Sequence, residues 1–539
     1  MQTHAKLIGL SILTALLLTL AWPPIGIFPL AFVAFVPLFL IHFLIIEQKL
    51  GTAWLVLYGF ITFLLFNIGT TWWVWNASAG GAVMAFVLNA LLMVLPLLFI
   101  HKLAIKQNNP TKLWPFIWAW LAFEYFHFRW DGTWTWLTLG NLFSGTPWLI
   151  QWYEYTGVAG GTLWILWVNK NIFHWILAYN QRDKQTRFKT AFNLVFFKLF
   201  APAFLSFYIA NQYQAQLASA KRITTNVMVV QPNIDPYKEK FGQMSAYDQT
   251  VKMLEIAEAN MDSTVELITF PETALVGHLD ERHLNQEETM VLIKQFMQKH
   301  PNVGILTGAD SYKEFLPGEK VSETARSFEN GVRYDVYNTA FFLSPTDSAI
   351  GVYHKSKLVP GVERLPFSSV LKYVEKYAID LGGTTGSLGI DEEPSVFTLN
   401  TMVKPAPIIC YESIFGEYVT QYVKRGATLL CIVTNDGWWG NTPGYKQHLS
   451  YASLRAIETR RFVARSANTG ISGFVDDLGN ITQQSKWWVP AALKQKVALN
   501  TQQTFYVKHG DYINEFGLLL TLYFFIGLIT NAGIKIKPW

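Results

Sequence analysis

At 539 residues, with 51% hydrophobic and only 15% charged residues, the chain is too long for a single core and too apolar for an ordinary soluble protein. The formal net charge of +5 does not point to a nucleic-acid partner. Most of the basic excess sits in short loops between apolar stretches, where it reports membrane topology.

A hydrocarbon core about 30 Å thick takes roughly 20 helical residues. Eight stretches come near that length, centred on residues 7–22, 27–46, 54–75, 81–101, 113–127, 158–179, 191–210 and 516–534. The first is expected to be a retained span and not a signal peptide, because its leading segment carries only Lys6 and WPPIGIFPL leads straight into the next apolar run. The seventh is interrupted by Lys198, and Pro202 should kink it. Glu124 and Lys170 also fall in or near apolar runs. Ionisable groups in lipid pair or line polar cavities, so Glu124 is expected either to neutralise one of these lysines or, like them, to reach an interface.

Lys6, Lys49, Lys102, Lys106, Lys112, Arg182, Lys184, Arg187, Lys189, Lys535 and Lys537 fall on one side of this pattern, against Arg129 in the short loops of the other. That asymmetry places both termini in the cytoplasm and the long polar region outside, which in a Gram-negative cell is the periplasmic face of the inner membrane. The expected organisation is therefore an α-helical membrane bundle of eight spans with an α/β domain inserted before the last span. Seven helices occupy 1–211, the polar domain 212–512, and the eighth helix with a short tail 513–539.

Within the polar domain, NVMVVQPNI, ELITFPETA, NVGILTGAD, YNTAFFLSP, AIGVYHKSK, PAPIICYES, ATLLCIVTND, RFVARSA and ISGFVDD read as strands. SAYDQTVKMLEIAEANM, TMVLIKQFMQKH and KQHLSYASLRAIETRRF carry apolar residues at helical spacing. Near-continuous apolar strands alternating with amphipathic helices imply buried sheets covered by helices, a layered α/β sandwich. Residues 212–221 and 508–515 read as short tethers.

Three reactive residues follow three of these strands: Glu272 after ELITF, Lys355 after AIGVY and Cys410 after PAPII. Functional side chains gather where strands give way to loops. A carboxylate there serves as a general base, a lysine ammonium stabilises an oxyanion and depresses a thiol pKa, and a thiol is the nucleophile of acyl transfer. The chain has 2 cysteines. Cys431, inside the apolar run ATLLCIVTND, is expected to fill the core unpaired and not to form a disulfide with Cys410. No clustered His/Cys ligand set and no Gly-rich phosphate loop appears, so neither metal nor other cofactor is expected.

The local strings FPETA, YHKSKLVPGVE and IICYES resemble the nitrilase, or carbon-nitrogen hydrolase, superfamily, whose members carry a Glu-Lys-Cys triad on an αββα sandwich. TNDGWWG, SANTGISG and TFYVKHGD fit as well. With WPPIGIFPLAFVAFVPL and GTWTWLTLGNLFSGTPWLIQW at the front, nearly the whole chain resembles the bacterial apolipoprotein N-acyltransferase family of inner-membrane enzymes. The resemblance implies Glu272 as base, Lys355 as oxyanion partner and Cys410 as nucleophile, with supporting roles for Glu363, Glu412 and Tyr411. Lys355 is preferred to Lys357 by the family's Tyr-x-Lys spacing. The family's Pro-Phe-Gly-Glu becomes Pro360, Gly361, Val362 and Glu363 here, and Phe270 stands where Trp is common.

What the resemblance implies chemically is a ping-pong cycle. An acyl chain passes from a glycerophospholipid donor to a Cys410 thioester and then to the α-amine of a diacylglyceryl-cysteine at the N-terminus of an apolipoprotein. Both substrates are lipids, so an apolar-lipped cleft is expected, with Trp438, Trp439 and Tyr445 as candidates for its lip and Trp136 as a further one. Plugging the sandwich is the alternative role for these rings. A membrane-tethered amidase and a catalytically silent lipid-binding scaffold are the competing readings. Eight spans exceed what tethering needs, and a scaffold has no use for three reactive residues. A monomer is expected.

Overall fold

A computed structural model describes residues 2–180, 188, 191, 193–219, 221–364 and 387–530. Arg182, Lys184, Arg187, Lys189, Lys535 and Lys537, used above to orient the chain, lie outside the described residues. The chain divides into two compact units: Met1–Trp72, Gly80–Gln212 and His509–Trp539 form the first, and Trp73–Ala79 with Tyr213–Lys508 form the second.

The first unit is helical. Among the described residues, six helices are long and apolar enough to cross a membrane: Gln2–Ala21, Phe28–Glu47, Thr52–Thr71, Ala79–Gln107, Asn193–Ser219 and Tyr512–Ile529. Trp114–His127, at 14 residues, and Tyr153–Asn180 are also helical but are not among these six. The run beginning at Asn193 is a π-helix to Phe200 and an α-helix from Ala201 to Ser219, the change falling beside Lys198 and Pro202. The helix thus continues through residues 212–219, where a tether was expected.

Among the described residues, Glu124 pairs with no lysine. Its carboxylate accepts from Trp120 Nε1 at 3.1 Å, the Leu139 N–H at 3.0 Å and Thr162 Oγ1 at 2.9 Å. Three neutral donors satisfy the group locally. Lys170 Nζ lies over the Trp114 ring at 4.5 Å, and Lys198 Nζ donates to Asn171 Oδ1 and lies over Trp167.

The second unit is built on β1 (Thr224–Gln231), β2 (Leu267–Thr269), β3 (Leu275–Asp280), β4 (Gly304–Glu314), β5 (Arg326–Ser327), β6 (Arg333–Leu343), β7 (Gly351–His354), β8 (Pro405–Ile409), β9 (Leu429–Thr434), β10 (Val463–Ala467), β11 (Gly473–Val475), β12 (Ile481–Gln484) and β13 (Ala491–Ala498). One sheet runs β13-β1-β2-β4-β6-β5, with β3 also on β4 and β7 on β6; the other runs β12-β11-β10-β9-β8. The sheets face each other, and Ser466 Oγ of β10 donates to the Val230 carbonyl of β1 at 2.7 Å.

Helices Ala246–Glu258 and Glu288–Lys299 cover the first sheet. Met253, Leu254, Ala257, Met290, Ile293 and Phe296 form one core with Met228, Val230, Ile268, Ile305 and Phe341. Helices Gly416–Lys424 and Pro443–Thr459 pack on the second sheet. The result is the expected α-β-β-α layering. All nine expected strands and all three expected helices of this domain are present. The sequence reading missed β3, β5, β12 and β13 and the helix Gly416–Lys424.

Candidate active site

Parallel pairing brings the reactive residues to neighbouring strand ends. In the second sheet, Ile409 of β8 pairs with Val433 of β9, and Thr434 pairs with Ala467 of β10, so Cys410, Asn435 and Asn468 leave the same edge. In the first sheet, β1, β2 and β4 are parallel, and Glu272 lies just beyond Thr269 of β2. β7 ends at His354, and the Lys355 N–H donates to the Asn338 carbonyl at 2.8 Å. Side chains at the carboxyl ends of such strands converge on the crevice outside the sheet.

Cys410 opens the 3-10 turn Cys410–Ile414 with φ +48, in the left-handed region. A non-glycine residue is held there at a cost of about 1–2 kcal/mol, a form of local strain concentrated at functional sites. The turn is braced from below by Glu412, which is fully buried. Glu412 Oε2 accepts from the Ile409 N–H at 2.8 Å, while Oε1 accepts from the Ser356 N–H at 2.7 Å and the Tyr353 hydroxyl at 2.6 Å. One carboxylate therefore joins the cysteine turn to the lysine loop, and burial pushes its pKa up to about 7. Tyr411 is buried and packs edge-on against Phe415.

Glu272 and Lys355 form a buried ion pair, Nζ to Oε1 3.1 Å. Lys355 Nζ also donates to Glu363 Oε1 at 2.8 Å, and Glu363 Oε2 accepts from the Val359 N–H at 2.8 Å. Asn338 of β6 donates to Glu272 Oε1 at 2.8 Å and Glu363 Oε1 at 2.9 Å, bridging the two carboxylates. The Asn435 N–H, from the end of β9, donates to Glu272 Oε2 at 3.0 Å. Gly308 of β4 makes room for this turn: a Cβ there would lie 2.5 Å from the Pro271 carbonyl and 2.6 Å from Glu272 Cα.

Burial alone would push the Glu272 carboxyl up, but the Lys355 ammonium and the Asn338 donor hold it below the usual carboxylate range. Burial opposes the charge on Lys355, yet Glu272 and Glu363 keep it above the usual lysine range. Burial and the Glu272 carboxylate push the Cys410 thiol well above its ordinary value. The Lys355 ammonium pulls the thiol pKa down, as expected of a cation there, and burial with the Glu272 carboxylate outweighs it. The resting site is a neutral thiol beside an ionised Glu-Lys pair, an arrangement in which attack requires a base.

A second cluster lies against the Cys410 turn. His448 Nδ1–H donates to Asp436 Oδ1 at 2.9 Å, and its Nε2 lies 2.9 Å from Ser413 Oγ and 3.2 Å from the Cys410 carbonyl. Arg465 pairs with the other oxygen of Asp436. All three side chains are buried. Sequence reasoning missed these residues and Asn338. TNDGWWG and the helix carrying His448 had been noticed, but nothing in them signals that they meet under Cys410.

Of the lip candidates, Trp438 is half-buried, stacked on Phe241 at 6.2 Å and edge-on to Tyr237 at 5.3 Å. Both of those neighbours are exposed, at 41% and 57%. Trp439 turns to Trp73 at 4.6 Å and His448 at 5.7 Å. Tyr445 is buried and stacked on Trp487, and Trp136 is buried within the helical unit. Cys410 and Cys431 are both free, as expected. Among the described residues no group of three or more His, Cys, Asp or Glu side chains is arranged to hold a metal ion.

A cysteine at a strand end, beside a buried glutamate-lysine pair inside an α-β-β-α sandwich, is the arrangement of the nitrilase class. A carbon-nitrogen hydrolase family model matches residues 226–505, about half the chain, and the chain belongs to the carbon-nitrogen hydrolase family. A model of the apolipoprotein N-acyltransferase N-terminal domain matches residues 14–170. The chain is 29% identical over 512 residues to an apolipoprotein N-acyltransferase of Chlorobaculum tepidum, covering 94% of this chain and 93% of that protein. It is 26% identical to that of Geobacter metallireducens, covering 93% and 91%. Among solved structures it is similar to an amidase from Nesterenkonia sp., at 14% identity and a TM-score of 0.35, covering 54% of this chain and 96% of that one.

Proposed function

We propose that this chain is an apolipoprotein N-acyltransferase that moves an acyl chain from a glycerophospholipid, through a thioester on Cys410, to the α-amine of an N-terminal diacylglyceryl-cysteine. The observation that carries the reading is the buried Glu272-Lys355 pair beside the Cys410 turn, in a chain whose two family matches span residues 14–170 and 226–505.

In the first half, the thiol is a proton donor whose proton must leave as sulfur attacks. Glu272 takes that proton, the C–S bond forms, and Lys355 stabilises the oxyanion of the tetrahedral intermediate. The ester C–O bond then breaks, and Glu272 returns the proton to the departing glycerol oxygen, releasing a lysophospholipid. In the second half, Glu272 takes one proton from the incoming ammonium and passes it to solvent, nitrogen attacks the thioester, and as the C–S bond breaks the remaining surplus N–H proton is carried by Glu272 to the departing sulfur, which restores the thiol and the carboxylate. Glu363 and Asn338 keep Lys355 and Glu272 in register through both halves. Trp438, with Tyr237 and Phe241, offers an apolar lip for the donor chain.

Membrane embedding with eight spans, both termini cytoplasmic and the hydrolase-like unit on the periplasmic face of the inner membrane, belongs to the same reading, as does a monomer. No metal or other cofactor has a step in it.

The test is intact-protein mass spectrometry after incubation of the purified full chain with phosphatidylethanolamine. An acyl adduct on Cys410 that persists in buffer and discharges onto a diacylglyceryl-cysteine peptide is expected. Rapid loss of the adduct to water would favour a hydrolase, and no adduct in the wild type would end the proposal.

A further inference from the structure

Glu272 is approached by a second buried lysine. Lys240, 3% exposed, sits in the π-helical turn Glu239–Gln243. Its Nζ donates to the Glu272 carbonyl at 3.2 Å and to Thr273 Oγ1 at 2.6 Å. Thr273 itself has φ +45, so the turn presenting Glu272 is left-handed on its C-terminal side and needs an external hold. The turn bearing Lys240 is in turn fixed by the Lys240 N–H to the Asp235 carbonyl at 2.9 Å and by Gln249 Nε2 to the Lys240 carbonyl at 2.7 Å.

We propose that Lys240 is a positioning residue for Glu272: it clamps the Glu272-Thr273 turn through the backbone and supports the ionised carboxylate, while Lys355 acts on the carboxylate itself. The groups facing Lys240 are the carboxyl groups of Glu272 after β2 and Asp310 on β4, with the His278 ring of β3 lying 3.1 Å from Asp310. Burying an ammonium is costly unless it is paired and hydrogen-bonded, and this one has a carbonyl, a hydroxyl and two nearby carboxylates to answer it. Burial still draws its pKa down to about 8. The next residue, Phe241, stacks on Trp438, so the element that supports the base also forms part of the aromatic surface assigned to the donor lipid.

The inference rests on Glu272 being the base. It is tested by kcat/KM as a function of pH for the full-length protein in detergent, with phosphatidylethanolamine and a diacylglyceryl-cysteine peptide. Lys240→Met removes a cation that favours the Glu272 carboxylate, so the acid limb is expected to move up by about one pH unit, and the loosened Glu272-Thr273 turn is expected to cost about tenfold in kcat/KM at neutral pH. Lys240→Arg, which keeps the charge, is expected to keep the acid limb in place. A Lys240→Met limb at the wild-type position would overturn the proposal. Thr273→Val covers a methionine variant that fails to fold: with the melting temperature unchanged, an about threefold loss of kcat at constant KM is expected, and an unchanged kcat would overturn the proposal. Wild-type turnover in Glu272→Gln would instead remove the base reading, which keeps the two failures distinct.

Discussion

His354 and Lys355 are consecutive residues, and each is a cation held between two carboxylates. His354 Nε2 lies 2.7 Å from Glu281 and Nδ1 2.9 Å from Asp391, with the ring stacked on Tyr337 at 3.8 Å. Lys355 lies 3.1 Å from Glu272 and 2.8 Å from Glu363. Alternation along the chain sends the two side chains to different neighbourhoods. Around His354 the partners are tied further into the fold: Glu281 also accepts from Ser311, and Asp391 also accepts from the His354 N–H. Around Lys355 one carboxylate has a thiol within its field. A buried cation with two carboxylates is thus a common packing device, and what makes one of them a candidate for chemistry is the proton that Cys410 must lose.

The largest effect expected from breaking this contrast is at Lys355. Lys355→Met should lower formation of the Cys410 adduct more than about 10³-fold, because the oxyanion loses its cation. It should also leave Glu272 and Glu363 facing each other without compensation, at a cost of about 3–5 kcal/mol. Adduct yield by mass spectrometry and a thermal melt read the two effects separately. An adduct at wild-type yield would erase the distinction between Lys355 and His354.

Glu412 should give an intermediate effect. It ties the Ile409 N–H of the cysteine turn to the Ser356 N–H of the lysine loop. Glu412→Gln replaces one acceptor oxygen by a donor and leaves a strand-end N–H unsatisfied. A loss of kcat of about 10–100-fold is expected, because small misplacements of reacting groups are costly. Loss of KM alone would show that Glu412 shapes binding and not the geometry of attack.

The contrast between the two residues also marks how far the chain could be read without coordinates. Glu272, Lys355 and Cys410 were singled out because each follows an apolar strand and because the strings FPETA, YHKSKLVPGVE and IICYES resemble a known family; strand ends alone would not have chosen Lys355 over Lys357. Asn338 was hidden because YNTAFFL reads as strand filling, and its partners are 66 and 25 positions away. Lys240 lay in an irregular turn with no periodicity, and β12 alternates too weakly in burial to stand out. The His448-Asp436-Arg465 cluster is assembled by tertiary packing alone. In the helical unit the apolar runs were plain, but both roles expected for Glu124, a lysine partner or a reach to an interface, left out the neighbouring N–H and O–H donors that hold it. Charge pairing is easier to see in a sequence than a hydrogen-bonded pocket.

The smallest catalytic effect is expected at His354, and its signature is pH-dependent stability. Burial disfavours the imidazolium, but Asp391 and Glu281 outweigh it and raise the pKa from 6.5 to about 9. A group raised on folding contributes its stability in full below the unfolded value and loses it as pH climbs through the folded one. His354 should therefore stabilise the α/β unit most below pH 6.5, with the benefit declining between there and about pH 9. A shift of this size corresponds to about 3 kcal/mol at most. His354→Gln should lower the melting temperature at pH 6, flatten the decline between pH 6.5 and about 9, and change kcat by less than about threefold. Melting curves at several pH values alongside acyl transfer at pH 7 would check this. If Lys355→Met and His354→Gln abolished transfer equally in folded protein, the two clusters would be a single functional unit, and adjacency in sequence would matter more than the neighbourhood each side chain enters.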